Sequence, residues 1–411
     1  MKIWKDQILK ETGQLQEELV QWRRNLHRHP EVGFELEFTK GFVKEKLIEM
    51  GCEPADCGKC GLVVLLGKPG KRTILLRADM DALPITEEAE IDYVSQCEGY
   101  MHGCGHDMHT AMLLGAAKVL KAHEGELCGQ VKLMFQPAEE IFAGSHDMIE
   151  AGVLENPHVD AAMTLHVTTG VPLPVGFLRV PEGGTGTSSS DEFHIIVNGK
   201  GGHGAMPHLS VDPINVMSHI CIALQEIHAR EVPAGEFLVI TPGIFQAGKA
   251  SNIIADQAEM YGTIRTGDQK MVEFAKRRIT EISESVAKTF RATAEVSFAK
   301  SCPPMIADHD MAAAARKYMT ELLEHAVIPP VNDTPKVAGG SEDFAYVSCE
   351  VPTIGMFLGA GNSREGAIYP QHHPKAEFDD SVLSRGAAVY AYMAVRWLEE
   401  NGLSVSCRSL N

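Results

Sequence analysis

The stretch Met101-His-Gly-Cys-Gly-His-Asp-Met-His109 decides the predicted fold because of the segments that flank it. An apolar segment typical of a strand, residues 73–84, precedes it, and an apolar run that favours a helix, residues 110–120, follows it. A second strand-like segment covers residues 131–136. Strands that alternate with helices usually pair in parallel. The sequence therefore predicts an α/β fold with a mostly parallel sheet flanked by helices.

The same nine residues carry one thiol, three imidazoles and a carboxylate. Thiolate and imidazole suit zinc and related divalent ions, and a nearby carboxylate can orient a ligating imidazole. Glycines on both sides of Cys104 allow the backbone to turn, so that Cys104 and His106 can face one point. A glycine-rich turn with buried histidines has the same composition, and this segment alone leaves both interpretations open.

Other acid–base and metal-binding side chains stand where apolar segments end. In chain order they are Asp79 and Asp81, then Glu139 and Glu140, then His166. The carboxyl ends of parallel strands lie at one edge of a sheet, so these side chains are expected to converge. Asp79 and Asp107 are predicted to orient imidazoles, although capping of a turn or helix is an equal alternative for each.

The predicted ligand set combines a thiolate, a carboxylate and several imidazoles: Cys104, His106, Glu140, His166 and one of His372 or His373. Five ligands exceed the need of one tetrahedral ion and suit two ions about 3.5–4 Å apart, which activate water and polarise an amide carbonyl. Neighbouring residues at a strand end point in different directions. One of Glu139 and Glu140 can therefore hold metal while the other takes the proton of the water.

A change of composition after Pro181 predicts a second domain. A linker of small residues, 182–190, leads into two helices with strands on either side, a pattern typical of a compact α+β unit. The first pattern resumes near Ser301. We expect a metal-binding domain made of residues 1–184 and 301–411, with an inserted domain over residues 185–300. An amphipathic helix over residues 12–28 is predicted to open the first domain.

Composition narrows the function further. The chain has 411 residues and a formal net charge of −18, which argues against nucleic acid and acidic membrane surfaces as partners. No stretch approaches the roughly 20 apolar residues of a membrane span, and the N-terminus lacks a signal-peptide core, so a cytoplasmic protein with a small-molecule partner is predicted.

The ten cysteines are predicted to be mostly reduced, with Cys57-Gly-Lys-Cys60 as a structural turn. His27 and His29, before Pro30, are interpreted as solvated capping residues.

Six motifs together resemble the amidohydrolase branch of the aminoacylase and carboxypeptidase metallohydrolase family, which includes hippurate hydrolases and auxin-conjugate hydrolases. They are Arg77–Pro84, Met101–Thr110, Phe135–Glu140, Gly202–Pro207, Ser341–Phe344 and His372–Pro374. The resemblance implies two Zn²⁺ or Mn²⁺ ions held by Cys104, His106, Glu140, His166 and His372. It implies that Glu139 is the general base and acid. It favours His372 over His373 as the ligand, because the ligand histidine of the family is followed by one residue and then a proline, and here that proline is Pro374. The wider family has His-x-Asp where this chain has Arg77-Ala-Asp79.

The inserted domain resembles the lid or dimerisation domain of that family. The resemblance implies that His203 polarises the substrate carbonyl, that Asn252 and Arg265 hold the free carboxylate of the substrate, and that Gly340 lines the pocket. It also implies a homodimer or a higher homo-oligomer that forms through the inserted domain.

The sequence thus favours a metal-dependent amidohydrolase that cleaves N-acyl or N-aroyl amino acids, or dipeptide-like conjugates, to a carboxylic acid and a free amino acid. A non-catalytic protein that binds acyl amino acids on the same scaffold is the alternative. A cysteine hydrolase built on Cys104 is less favoured, because His106 and His109 are too near in sequence for the usual thiolate–imidazole pair.

Overall fold

The computed structural model describes residues 2–70, 72–329, 340–361 and 369–402. The chain divides into two compact units. The larger comprises Met1–Gly184, Ile306–Thr334 and Tyr346–Asn411, and the smaller comprises Thr185–Met305 and Pro335–Ala345. The exact domain boundaries expected from composition stay a prediction.

The helices are α1 (Lys2–Gln14), α2 (Gln16–Arg28), α3 (Glu37–Glu49), α4 (His106–Ala122), α5 (Gly144–Glu150), α6 (Pro213–Ala223), α7 (Gln269–Thr289), α8 (His309–Leu323), α9 (Ala345–Glu350) and α10 (Leu383–Asn401). The strands are β1 (Ala55–Cys57), β2 (Gly61–Leu66), β3 (Thr73–Asp79), β4 (Gln130–Gln136), β5 (Ala161–Thr168), β6 (Leu178–Arg179), β7 (Gly184–Thr185), β8 (Ser190–Asn198), β9 (Gly202–His203), β10 (Leu238–Ala247), β11 (Ile253–Ile254), β12 (Gln257–Thr266), β13 (Thr293–Cys302), β14 (Ile306–Ala307), β15 (Val327–Ile328) and β16 (Thr353–Gly359).

The larger unit is built on a sheet with the order β1-β2-β4-β3-β5-β16-β6-β15. Its four central strands, β4, β3, β5 and β16, run parallel, whereas β2 pairs with β4 in the antiparallel sense. Every residue of β3 and β4 is buried, as expected for central strands covered on both faces. The structure confirms an α/β fold whose parallel strands are flanked by helices, and it places the carboxyl ends of β3, β4 and β5 side by side.

The N-terminal helix differs from its prediction over residues 12–28. The chain forms two helices, α1 and α2, with a break at Leu15. Gly13 disfavours helix, and the hydroxyl of Thr12 donates to the carbonyl of Ile8, which competes with the regular backbone pattern. The amide of Leu15 then donates to the carbonyl of Thr12 in a tight turn, so a new helix begins at Gln16.

The smaller unit contains an antiparallel sheet with the order β10-β12-β8-β13. Alternate residues of β8, namely Phe193, Ile195 and Val197, are buried in a core shared with α6 and α7. This alternation is what a sheet with one covered face requires. No helix in the described part of the chain is long and apolar enough to cross a membrane.

Candidate metal centre

Thiol, imidazole and carboxylate groups meet at the carboxyl edge of the sheet in the larger unit. The Sγ atom of Cys104 lies 3.6 Å from Nε2 of His166 and 3.3 Å from Nε2 of His372. The Oε1 atom of Glu140 lies 3.8 Å from Nε2 of His106 and 3.6 Å from Nε2 of His372. Ligands of a tetrahedral ion with bonds of about 2.0–2.3 Å stand about 3.3–3.8 Å apart. These four pairs of ligand atoms therefore have the spacing expected of side chains that share a divalent ion.

Two buried atoms of this cluster point to a bound cation. Nδ1 of His106 lies 2.8 Å from the carbonyl of Asp81, which assigns the proton to that nitrogen and leaves the lone pair of Nε2 directed into the cluster. In the described part of the chain, neither His106 Nε2 nor Glu140 Oε1 has a hydrogen-bond partner. Leaving such atoms buried and unpaired costs about 1–3 kcal/mol each. The donor set thus fits a divalent metal.

Gly105 explains how neighbouring segments deliver Cys104 and His106 to one point. It precedes α4 with φ of 89°, a left-handed conformation that glycine adopts readily. A Cβ atom at this position would stand 2.5 Å from Cγ2 of Val167, so the close approach to β5 also excludes a side chain. The chain can therefore turn between the thiol and the first residue of the helix.

The pair Glu139 and Glu140 follows β4 in a constrained turn. Ala138 has φ of 55°, which is uncommon for a residue with a side chain and is typical of functional sites. The carboxylate of Asp81 accepts the amide of Glu139 at 3.0 Å and that of Glu140 at 3.2 Å. Glu140 joins the ligand cluster, and Glu139 is 6% exposed. The sequence pointed to Asp81 but did not predict that it holds the backbone of Glu139 and Glu140. Its position two residues after Asp79, the last residue of β3, was the only sign of such a role.

Asp79 binds His109, and its Oδ2 also lies 3.5 Å from Nε2 of His106, a member of the five-residue cluster. Its Oδ1 is 2.5 Å from Nδ1 of His109, and its Oδ2 is 2.7 Å from a guanidinium nitrogen of Arg77. The other ring nitrogen of His109 accepts the amide of Val167, so both nitrogens are engaged. Burial opposes ionisation, yet Arg77 and the neighbouring imidazoles of His106 and His109 hold the pKa of Asp79 well below its usual value.

Asp107 orients an imidazole, as predicted, but the imidazole is that of His27 and not one of the metal-ligand candidates. Asp107 accepts from Nδ1 of His27 at 2.8 Å and forms an ion pair with Nε of Arg23 at 2.7 Å. Consecutive helical residues point about 100° apart, so Asp107 faces away from His106. The interpretation of His27 as a solvated residue is wrong, since its side chain is 1% exposed. His29, in contrast, bonds the carbonyl of Asn25 at the helix end.

Electrostatics differ sharply within the cluster. Burial raises the pKa of Glu140 to about 7 and also raises the pKa of the Cys104 thiol. Burial opposes protonation of His106, but the charge of Asp79 raises its pKa well above the ordinary value. Burial lowers the pKa of His166, whose Nδ1 donates to the carbonyl of Val167 and leaves Nε2 to face Cys104. Protons and metal therefore compete for this cluster.

The cysteines of the Cys57–Cys60 segment lie in a hairpin turn. Cys57 ends β1 and pairs with Gly61 at the start of β2. The thiol of Cys57 lies 3.7 Å from the carbonyl of Met148, and burial raises its pKa. A thiol with a raised pKa is a poor nucleophile, which agrees with a structural turn.

The candidate substrate-binding residues belong to the smaller unit. His203 is exposed and pairs with Ile253 across the ribbon of β9 and β11, where the carbonyl of Asn252 accepts the amide of Gly204. Arg265 lies on β12 and donates to the carbonyl of Ser189 at 3.3 Å. The carbonyl of Gly340 accepts the amide of Ser188 at 3.0 Å. The structure therefore places these residues in two local groups of the smaller unit.

Known proteins share this architecture and sequence. Residues 75–396 match the family model described as peptidase family M20/M25/M40. An IAA-amino acid hydrolase of Arabidopsis thaliana is 35% identical over 387 residues, 93% of this chain and 87% of that protein. An N-acetylcysteine deacetylase of Bacillus subtilis is 35% identical over 386 residues, 93% of this chain and 97% of that protein.

A solved structure agrees with these relatives. It is a dinuclear metal-binding peptidase of Bacillus subtilis, 31% identical, with a TM-score of 0.80 over 94% of this chain and 99% of that chain. The resemblance noted in the motifs is thereby confirmed. A cluster of buried ligands, a family model that covers most of the chain and relatives of matching length lead to one conclusion: this chain belongs to peptidase family M20/M25/M40 and is a metallohydrolase.

Proposed function

We propose that the enzyme hydrolyses the amide bond of N-acyl or N-aroyl amino acids, such as hippurate-like substrates, or of dipeptide-like conjugates. The observation that carries this proposal is the buried cluster in which His106 Nε2 and Glu140 Oε1 have no hydrogen-bond partner within the described ranges. Relatives named as an IAA-amino acid hydrolase and an N-acetylcysteine deacetylase support the substrate class, since both names describe an acylated amino acid.

The metal ligands in this proposal are Cys104, His106, Glu140, His166 and His372. A thiolate favours Zn²⁺, while carboxylate and imidazole also suit Mn²⁺. A pair of such ions supplies Lewis-acid polarisation of the amide carbonyl and lowers the pKa of water. Glu139 accepts the proton of the attacking water and later donates it to the nitrogen of the leaving amine. The Asp81 carboxylate holds the backbone of this residue while the proton moves.

The smaller unit supplies the substrate-binding groups in this proposal. The His203 imidazole stabilises the oxyanion that forms from the amide carbonyl. Arg265 and Asn252 bind the free carboxylate of the substrate, for which a guanidinium fork is well suited. Gly340 lines the pocket without a side chain that would narrow it.

We also propose that the chain forms a homodimer or a higher homo-oligomer through the smaller unit. Strand β10 is an edge strand of its sheet and carries the exposed side chains of Ile244 and Phe245. A long apolar edge strand readily pairs with another copy of itself. Sedimentation of the intact chain tests this directly, because a monomer at micromolar concentration contradicts it.

The function is tested with a panel of acetyl, benzoyl and indole-acetyl amino acids, each assayed with added Zn²⁺ or Mn²⁺. The expected result is release of free amino acid, loss of activity with a chelator and recovery with metal. Tight binding without product release, measured by calorimetry, would instead favour a non-catalytic binding protein. Activity that persists in chelator but is blocked by a thiol reagent would favour the cysteine hydrolase.

A further inference from the structure

His372 is the least constrained of the five clustered side chains. Its side chain is 52% exposed, whereas Cys104 and His106 are buried. Its backbone has φ of 65°, a conformation that costs energy for a residue with a Cβ atom. Neither burial nor regular secondary structure holds this imidazole in place, so its position depends on contacts of the loop that carries it.

Two backbone hydrogen bonds connect that loop to two other segments of the larger unit. The amide of His372 donates to the carbonyl of Gly103 at 3.0 Å. The amide of Glu88 donates to the carbonyl of Pro374 at 2.8 Å. The first bond leads to the segment that carries Cys104. The second leads to residues 84–100, which contain neither helix nor strand and therefore need an anchor of their own.

Glu87 is the buried anchor of residues 84–100. Its side chain is 3% exposed, although the residues around it in sequence are largely at the surface. One carboxylate oxygen lies 3.0 Å from Nε2 of His27, and the other accepts the amide of Ser95 at 2.6 Å. A charged side chain is rarely buried without such partners. The neighbouring amide of Glu88 is thereby held where Pro374 can accept it.

His27, the partner of Glu87, is itself held in place by a buried carboxylate. His27 lies on α2 and binds Asp107, which stands in the first turn of α4 next to His106. Arg23, one turn earlier on α2, forms an ion pair with the same carboxylate. The anchor is thus connected to the helix whose first residue is a member of the metal cluster.

We infer that Glu87 is a positioning residue for the metal centre: through the bond from Glu88 to Pro374 it fixes the loop that presents His372. This inference rests on the proposed role of His372 as a metal ligand. Residues that orient metal ligands typically change metal affinity by about 10–100-fold when they are removed. Glu87 is not one of the five proposed ligands, so its loss is expected to weaken metal binding and to leave the chemistry intact once metal is restored.

The test compares Glu87→Gln with Glu90→Gln, the same substitution at an exposed position of the same loop. Zn²⁺ affinity is measured by competition with a chelator, and kcat is measured in limiting and in saturating metal. We expect Glu87→Gln to lower the affinity for one ion by about 10–100-fold and to recover kcat in excess metal. Glu90→Gln is expected to behave as the wild type.

A double-mutant cycle shows whether the effect passes through His372. In a His372→Ala background, Glu87→Gln is expected to change Zn²⁺ affinity by less than about twofold, because the affected ligand is already absent. Wild-type affinity in Glu87→Gln, or a full additional loss in the double variant, overturns the inference. Failure of the wild type to bind two ions overturns the proposed function instead. If Glu87→Gln does not fold, Glu87→Asp is used instead. It keeps the charge but shortens the side chain by one methylene, so that one carboxylate no longer reaches both His27 and Ser95, and unchanged Zn²⁺ affinity in that variant also overturns the inference.

Discussion

The candidate residues of the two units are held in contrasting ways. In the larger unit, Cys104 and His106 are buried, and Glu140 has an amide bound to a buried carboxylate. In the smaller unit, His203 is exposed and Arg265 is half-buried. Metal ligands must be preorganised because a small displacement changes coordination, whereas substrate-binding groups can adjust as the substrate arrives. Substitutions in the first region are therefore expected to affect metal and turnover, and those in the second to affect the handling of substrate.

The largest effect is expected from Glu139→Ala. Removal of a general base lowers kcat by about 10²–10⁴-fold, and metal content stays at the wild-type level because the ligands are untouched. Glu140→Ala, one residue away, is the matched contrast and should lose metal together with activity. Steady-state kinetics and metal analysis after gel filtration distinguish the two. A wild-type kcat in Glu139→Ala removes the proposed role of this residue.

His203→Ala tests whether the smaller unit acts on the transition state. Loss of one donor to an oxyanion typically lowers kcat by about 10²–10³-fold, and metal content should not change. His208→Ala serves as the control, because His208 is also exposed in this unit and has no assigned role. Equal kinetics for the two variants would show that His203 contributes nothing to catalysis.

Metal affinity is expected to fall as the pH is lowered. The pKa of Glu140 is raised to about 7, and those of Cys104 and His106 are also raised, so protons occupy ligands in the metal-free chain. Below about pH 7, affinity should drop roughly tenfold per pH unit for each proton that the metal must displace. Calorimetry in buffers with different ionisation enthalpies counts these protons. An affinity independent of pH across neutrality would contradict the electrostatic description.

The smallest effect is expected from Arg265→Lys. A lysine keeps the charge but cannot form the paired hydrogen bonds of a guanidinium, so KM for an N-acyl amino acid should rise by about tenfold with little change in kcat. The same substrate with its carboxylate converted to a carboxamide is the control, since it offers no anion to bind. If KM rises equally for both substrates, Arg265 does not recognise the carboxylate.

More of the site in the larger unit than of the remaining structure could be predicted from the sequence. Glu140 and His166 stand at or after apolar strands, and Cys104 lies just before the helix that follows β3. Strand ends and the connections that leave them share one edge of a parallel sheet, so the proximity of these residues could be predicted. The break at Leu15 could not, because it depends on competition between nearly equal helical conformations. The partner of Asp107 was also beyond reach, since it lies on α2, about eighty residues earlier in the chain.

The three histidines of the opening stretch separate what the sequence determined from what tertiary structure decided. The alternation of strands and helices around this stretch indicated an α/β fold, and the three histidines and Cys104, taken together with Glu140 and His166 farther along the chain, indicated a metal site. Only the fold assigns them. Burial lowers the pKa of His102 to about 3, Asp79 binds His109, and His106 alone directs a ring nitrogen into the five-residue cluster. The sequence determines which side chains are present and therefore which metal ligands are available. The direction and the surroundings of each imidazole ring depend on residues that folding brings near from distant strands and helices.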